Sequence, residues 1–371
     1  MKITSLPTPC VLVDQRRVER NIDRMQGAAE ARGVRLRPHA KTHKSLDIAL
    51  TQVGRGAVGI CCAKLGEAEV FADRIGDIRL PYPLQPVNAE RVFALLDRTR
   101  VSFIVDHLEV ARGWSGVIRG AGREVDVLVK VDVGFHRCGI DPDAAEAAEF
   151  VARVADLPGI RFRGLLSHAG HAYGATSEEQ IAQIAGDEAR ILTTLRDRLL
   201  DLGVPVPEIS VGSTPTARFS MGMPGITELR PGNYVYFDRM QVALGSATWD
   251  DCALTVLARV VSRPAPDRLI LDSGSKTLTT DQVRGAGGAG YGAVLESLDS
   301  DVPDERLSIE RLSEEHATVR ITGECALAPG DLVRIVPNHS CVVSNLMDEV
   351  WVVEGEEARD RLRITARGRI A

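Results

Sequence analysis

The densest chemistry in the sequence lies in Arg35-Leu36-Arg37-Pro38-His39-Ala40-Lys41-Thr42-His43-Lys44. A lysine follows a short apolar run, with a proline and two histidines beside it. A strand that ends in lysine is a natural platform for a Schiff base. The ε-amine is held rigidly, and burial lowers its pKa so that it attacks a carbonyl near neutral pH. On an extended backbone His39 and Lys41 share one face. The same residues also fit a solvated basic turn after an ordinary strand.

Two further stretches carry chemistry. Val211-Gly212-Ser213-Thr214-Pro215-Thr216 is echoed by Arg230-Pro231-Gly232-Asn233-Tyr234. Small residues and hydroxyls after late strands leave backbone N–H groups exposed, as a phosphate cradle needs. Two glycine/proline turns are the alternative. In Val336-Pro337-Asn338-His339-Ser340-Cys341, an imidazole and a thiol at i and i+2 point the same way on an extended chain, a workable pair of zinc ligands. Two protein ligands leave positions open for water or substrate, as a catalytic metal requires. A surface histidine and a core cysteine fit the same pattern.

The elements that must position these residues alternate. Strands are expected at 9–14, 34–37, 57–62, 78–80, 101–105, 125–133, 162–167, 208–211 and 226–230. Helices are expected at 18–31, 45–53, 64–73, 108–117, 144–155 and 178–202, from apolar residues at helical spacing. Roughly eight strands over about 230 residues suit a (β/α)8 TIM-type barrel, whose strand C-termini converge on one mouth. Lys41, Arg137, His168, His171, Tyr173 and the Gly212 loop would then face each other. A doubly wound sheet shares this alternation. Past residue 245 short β-branched runs separated by Gly, Pro, Asp and Ser predict an antiparallel β domain, and 285–290 reads as a loop. The fold class is therefore α/β, with a barrel over 8–240 and a β domain over 241–371 that residues 1–7 could join.

Composition bounds the partners. The 371 residues are 44% hydrophobic and 26% charged, with a net charge of −6 and both signs interspersed. That argues against a nucleic-acid surface and for a soluble cytoplasmic protein. No apolar run approaches the roughly 20 residues of a membrane span, and Met1-Lys2-Ile3-Thr4-Ser5 has no signal core. Seven cysteines without a C-x-x-C pair predict reduced thiols.

Pro38-His39-Ala40-Lys41-Thr42-His43-Lys44 resembles the pyridoxal-phosphate lysine motif of the D-threonine aldolase and D-serine dehydratase family, alanine-racemase-like enzymes of fold-type III. Gly59-Ile60-Cys61-Cys62-Ala63-Lys64, Val131-Asp132-Val133-Gly134, Arg137-Cys138-Gly139 and Gly212-Ser213-Thr214-Pro215-Thr216 resemble the same family. So do Leu271-Asp272-Ser273-Gly274-Ser275-Lys276, Ser313-Glu314-Glu315-His316 and Pro337-Asn338-His339-Ser340-Cys341. The resemblance runs from about Thr8 to Arg369. It implies pyridoxal 5'-phosphate on Lys41, with His39 beside it and Arg137 beneath or beside the pyridine ring. Gly212, Ser213, Thr214, Gly232, Asn233 and Tyr234 would surround the phosphate. His168 and Tyr173 would line the substrate side. His339 and Cys341 would hold a divalent metal. A thiolate ligand favours zinc or another borderline cation over magnesium, with manganese as an alternative. A homodimer acting on a small amino acid is expected.

The family divides at the metal. Aldolase members show His-x-Asp and dehydratase members His-x-Cys; this chain has His339-Ser340-Cys341. Ser167-His168-Ala169-Gly170-His171-Ala172-Tyr173 is also dehydratase-like, whereas Arg263 to Arg268 and Gly59 to Cys62 are more like the aldolases. The first expectation is retro-aldol cleavage of a D-β-hydroxy-α-amino acid such as D-threonine, to glycine and an aldehyde. The alternative is dehydration of D-serine, D-threonine or 3-hydroxyaspartate to a 2-oxo acid and ammonia. A cofactor-binding protein without turnover is a third reading, and the His-x-Cys pair argues against it. A racemase is a fourth, but racemase-like members use no metal.

Overall fold

The computed structural model describes residues 1–283 and 288–371, so residues 285–287 of the expected glycine-rich loop lie outside the described residues. The strand β1 (Cys10–Asp14) is followed by β2 (Arg35–Leu36), β3 (Ile60–Cys61), β4 (Asp77–Pro83), β5 (Arg100–Val105), β6 (Val125–Lys130), β7 (Ile160–Leu166), β8 (Glu208–Val211) and β9 (Glu228–Leu229). Strands β2 to β9 form one parallel sheet in the order β2-β9-β8-β7-β6-β5-β4-β3. Its two ends meet, because His39 bridges Cys61 and the Cys61 N–H donates to the Pro38 carbonyl at 2.7 Å. The sheet is thereby closed, as the alternation predicts. Helices cover its outside, which is why β6 is buried along its whole length.

Several elements differ from expectation. Strand β6 stops at Lys130 because the Asp132 carboxylate takes the N–H groups of Gly134, Phe135 and His136 at 3.0, 3.1 and 3.0 Å, turning the chain. Thr214–Ser220 is a helix where a loop was expected. Pro215 fits its first turn, where no N–H is needed. A further helix, Ala89–Leu96, follows a proline turn that masked its start.

The second sheet contains β10 (Leu254–Ala265), β11 (Arg268–Leu271), β12 (Ala293–Leu295), β13 (Pro303–Leu312), β14 (Ala317–Ile321), β15 (Leu332–Val336), β16 (Glu349–Glu354) and β17 (Glu357–Arg363). The order β11-β14-β13-β12-β15-β10 closes on itself through a β10–β11 pairing, and β1-β16-β17 extends from β10. Strand β1 thus lies outside the barrel that spans its place in the sequence. It pairs antiparallel with β10, from Cys10 opposite Leu257 to Val13 opposite Leu254, and parallel with β16. Both faces are covered: Val11 and Val13 join the main core, and Leu12 joins a smaller one with Ile3, Leu6 and Leu257.

The inside of the first barrel is charged. Arg37 bonds Glu228 at 2.9 Å and Asp77 at 2.6 Å, and Arg79 bonds both Glu208 and Glu228. Burial would raise the Glu228 carboxyl, but the Arg79 and Arg37 guanidinium groups hold it well below the usual carboxylate range. Ser210 Oγ donates to Glu228 at 2.6 Å and accepts from Arg230 at 2.6 Å, so this network rises from the barrel floor to its mouth.

Candidate active site

A cavity of about 630 Å³ opens at the C-terminal ends of the barrel strands, and His339, Cys341 and residues 280–283 close it from the second sheet. It collects His39, Lys41, Arg137, His168, Tyr173, Gly212, Ser213, Thr214, Gly232, Asn233, His339 and Cys341.

Lys41 sits in a short 3-10 helix, Ala40–Thr42, whose N-cap is His39; the His39 ring accepts from the Lys41 N–H at 3.4 Å. The two residues are therefore cap and second position of a turn, not neighbours on a strand face. The Lys41 side chain is exposed to the cavity rather than buried as expected. Its charge acts on its neighbours. Burial first, then the Lys41 ammonium, push His39 and His168 well below the ordinary histidine value, so both rings are neutral at pH 7. His168 Nδ1 donates to the Gly212 carbonyl, and the ring of Phe135 packs edge-on against it at 5.7 Å. Burial pushes the Tyr173 phenol up, and the charges of Cys341 and Asp238 add to this, so it keeps its proton.

The loops at Gly212 and Gly232 have no room for side chains. A Cβ on Gly212 would stand 2.9 Å from the Arg230 Cβ, and one on Gly232 would stand 2.9 Å from Thr42 Oγ1 and 3.0 Å from the His39 carbonyl. The first N–H groups of the helix after Ser213 have no intrahelical partner, and Ser213 Oγ bonds Thr216 at 2.7 Å rather than capping them. Thr214 Oγ1 is buried, with no hydrogen-bond partner among the described residues. Such a cradle fits a phosphate, and Lys41, on the turn packed against Gly232, fits an aldehyde. Tyr234 does not belong to the cradle wall. It is fully buried behind the cavity, and its hydroxyl accepts from Gln52 Nε2 at 2.9 Å.

The second pair is also arranged differently from expectation. His339 is the N-cap of the helix Ser340–Leu346 and Cys341 is its second residue. Only His339 has extended dihedrals, yet the pair still meets. His339 Nδ1 bonds Asp281 at 2.6 Å, and the ring also hydrogen-bonds Cys341. Burial would lower His339, but the Cys341 thiolate and Asp281 raise it to about 11. Burial would raise Cys341, but His339 brings it below the usual thiol range. The two meet as the imidazole and thiolate that a divalent cation would bind, with Asp281 on the ring's Nδ1. Among the described residues no group of three or more His, Cys, Asp or Glu converges on such a position. Cys341 Sγ lies 3.2 Å from Thr42 Oγ1, beside the lysine turn.

Residues without an assigned role in the sequence reading also line the cavity, among them Thr42, Lys130, Arg230, Met240 and Asp281. Lys130 closes β6, where burial and then the Arg230 charge lower its amine to about 7. Nothing in an apolar run that ends in lysine marks that lysine as buried. Arg137 is exposed, with its guanidinium 5.1 Å from the Phe135 ring centre.

A family model described as alanine racemase, N-terminal domain, matches residues 13–240, and a serine dehydratase domain model matches residues 253–353. The chain is 34% identical to a D-threonine aldolase of Arthrobacter sp, over 99% of this chain and 94% of that protein. It is 33% identical to the D-threo-3-hydroxyaspartate dehydratase of Delftia sp. (strain HT23), over 91% and 92%. The solved structure of a D-threo-3-hydroxyaspartate dehydratase, with a cysteine changed to alanine and in the metal-free form, superposes with a TM-score of 0.91 at 30% identity, covering 98% of each chain.

Proposed function

The chain belongs to the alanine-racemase-like, fold-type III family of pyridoxal-phosphate enzymes, in the lyase branch of D-threonine aldolases and D-serine dehydratases, and from that premise we propose that it cleaves D-configured β-hydroxy-α-amino acids. The observation that carries the proposal is one cavity holding Lys41, the Gly212–Thr214 and Gly232–Asn233 cradle, and the His339/Cys341 pair.

Lys41 would hold pyridoxal phosphate, with its phosphate on the cradle. The bound cofactor supplies an electron sink for the bond broken at the substrate Cα. His339 and Cys341 would hold a divalent metal, zinc first and manganese as the alternative, which supplies Lewis acidity to a substrate hydroxyl. Neutral His39 and His168 keep positive charge away from Lys41 Nζ. His168, fixed by the Gly212 carbonyl, keeps its other ring nitrogen free to hold a proton. Tyr173 stays a donor at neutral pH. Arg137 would stand beside the cofactor ring, and Phe135 and Met240 narrow the space open to water.

Retro-aldol cleavage of D-threonine to glycine and acetaldehyde is the first reading, supported by 34% identity over 94% of the aldolase. Dehydration is the second, favoured by the cysteine of the pair: a dehydratase that lacks one of its cysteines has been solved in a metal-free form. Metal-loaded enzyme with D-threonine separates them. Glycine and acetaldehyde support the first, and 2-oxobutanoate with ammonia the second. Inversion at Cα without either product defeats both. We further propose a homodimer in the cytoplasm, without nucleic-acid or membrane partners. The net charge of −6 speaks against a nucleic-acid partner, and among the described residues no helix is long and apolar enough to cross a membrane.

A further inference from the structure

One buried carboxylate beside the cavity acts on Tyr173 by its charge and has no other part so far. Asp238 is fully buried at the start of the helix Arg239–Ala243, and its Oδ1 accepts from the Gln241 N–H at 3.0 Å. Its Oδ2 accepts from Asn233 Nδ2 at 2.6 Å, from the Ser340 N–H at 2.9 Å and from Ser340 Oγ at 3.2 Å. Asn233 belongs to the cradle loop, and its Nδ2 also lies 3.6 Å from Cys341 Sγ. Ser340 is the residue between His339 and Cys341. Next to Asp238, the Arg239 N–H donates to the Pro337 carbonyl at 3.1 Å and its guanidinium to Asn338 Oδ1 at 3.2 Å. A single side chain thus joins the cofactor cradle to the backbone link between the two metal-ligating candidates.

We propose that Asp238 is the positioning residue that fixes His339 and Cys341 at metal-binding separation and ties them to the cradle loop; this rests on the reading that the pair binds a metal. Every group that reaches Asp238 can donate, so an acceptor-only carboxylate satisfies all of them. An amide cannot, because whichever way it turns its NH2 meets a donor. Groups that orient ligands from behind in this way tune metal affinity by roughly 10- to 100-fold.

The test measures zinc affinity of the holoenzyme by competition with a chromogenic chelator. The cofactor's visible band and the thermal midpoint are recorded on the same samples. Asp238→Asn is expected to weaken zinc binding roughly 10- to 100-fold while the visible band persists. Ser340→Ala keeps the backbone donor and loses only the hydroxyl, so it weakens zinc binding less, by roughly a few-fold on the same scale. Wild-type affinity in Asp238→Asn overturns the proposal. So does a loss of affinity that only follows a parallel loss of the visible band and thermal midpoint, since that marks a merely structural residue. If Asp238→Asn does not fold, Ser340→Ala decides alone, and unchanged affinity there overturns the proposal. Cys341→Ala separates the two readings. Zinc that stays bound in that variant defeats the metal reading itself, and the positioning role falls with it.

Discussion

Lys130 offers the sharpest quantitative test of the barrel. Burial, then repulsion from Arg230, lowers its amine from 10.5 to about 7, against weaker pulls from Cys138 and Glu188. At about 1.4 kcal/mol for each tenfold change in ionisation constant, the folded protein with Lys130 charged is about 5 kcal/mol less stable than one whose lysine titrates normally. Between pH 7 and pH 10.5 the unfolded chain holds this proton and the folded chain does not. Stability therefore rises with pH across that window, and the full cost remains below pH 7. Lys130→Met keeps the aliphatic stem and removes the charge. In cofactor-free protein it should be more stable than wild type by about 4 kcal/mol near pH 7 and by less than about 1 kcal/mol near pH 10. Urea unfolding of both proteins at several pH values measures the gap, and groups common to both cancel in it. A gap that stays constant from pH 7 to pH 10, or a variant less stable at pH 7, would refute the buried neutral lysine.

Lys41→Ala should lose the cofactor's visible absorption, and an unchanged spectrum would move the attachment elsewhere. Lys44 is a poor substitute, since it is buried and paired with Glu67 at 3.2 Å. Chelation, like Cys341→Ala, should abolish turnover and leave the visible band, because Lys41 belongs to a turn of the first barrel and Cys341 to a helix that follows a strand of the second sheet; full turnover after confirmed metal loss would contradict the metal role. Arg79→Met removes the guanidinium that Glu208 and Glu228 share, leaving Arg35 on the first and Arg37 on the second, and should destabilise the protein by up to about 3 kcal/mol in chemical unfolding. Wild-type stability there would mean that the network carries no net charge coupling.

Much of this was legible in the sequence. Parallel barrel strands are buried on both faces, so they read as apolar runs, and their alternation with helices announces the closed sheet. Partner choice is not in that signal. Cys10–Asp14 has the same apolar texture as the barrel strands but pairs across the molecule with β10 and β16. Strands β13 and β17 escaped notice because PDERLSIERL and EARDRLR present charges to water and few β-branched residues. The i, i+2 spacings of His39/Lys41 and His339/Cys341 do bring each pair to the cavity, but not on the extended backbone that the spacing implies. In both pairs the first residue is an extended N-cap and the second lies in the turn that follows. The family resemblance implies Tyr234 at the phosphate with its neighbours, yet a 3-10 turn at Asn233–Val235 sends its side chain towards Gln52.

The lysine turn itself links the two halves of the site. Lys41 points into the cavity, while the next residue, Thr42, is fully buried with its hydroxyl 3.2 Å from Cys341 Sγ. Gly232 lies against the same hydroxyl and against the backbone of His39. Lysine turn, cradle loop and thiol therefore form one packed contact, and the low compressibility of such contacts means that none shifts by much alone. The proposed attachment point, phosphate seat and metal pair would thus be held as a rigid set. What the set would leave open is the pose of the substrate between them, on which the choice between aldol cleavage and dehydration would turn. The walls free to vary that pose are Phe135, Met240, Thr280, Gln282 and Val283, none of which belongs to the shared contact; Asp281, bonded to His339, goes with the set. Substitutions on those walls are accordingly the ones expected to change the ratio of aldehyde to 2-oxo acid formed from D-threonine. Substitutions in the rigid set should lower both products together, and a set-residue variant that altered their ratio at undiminished rate would break the argument.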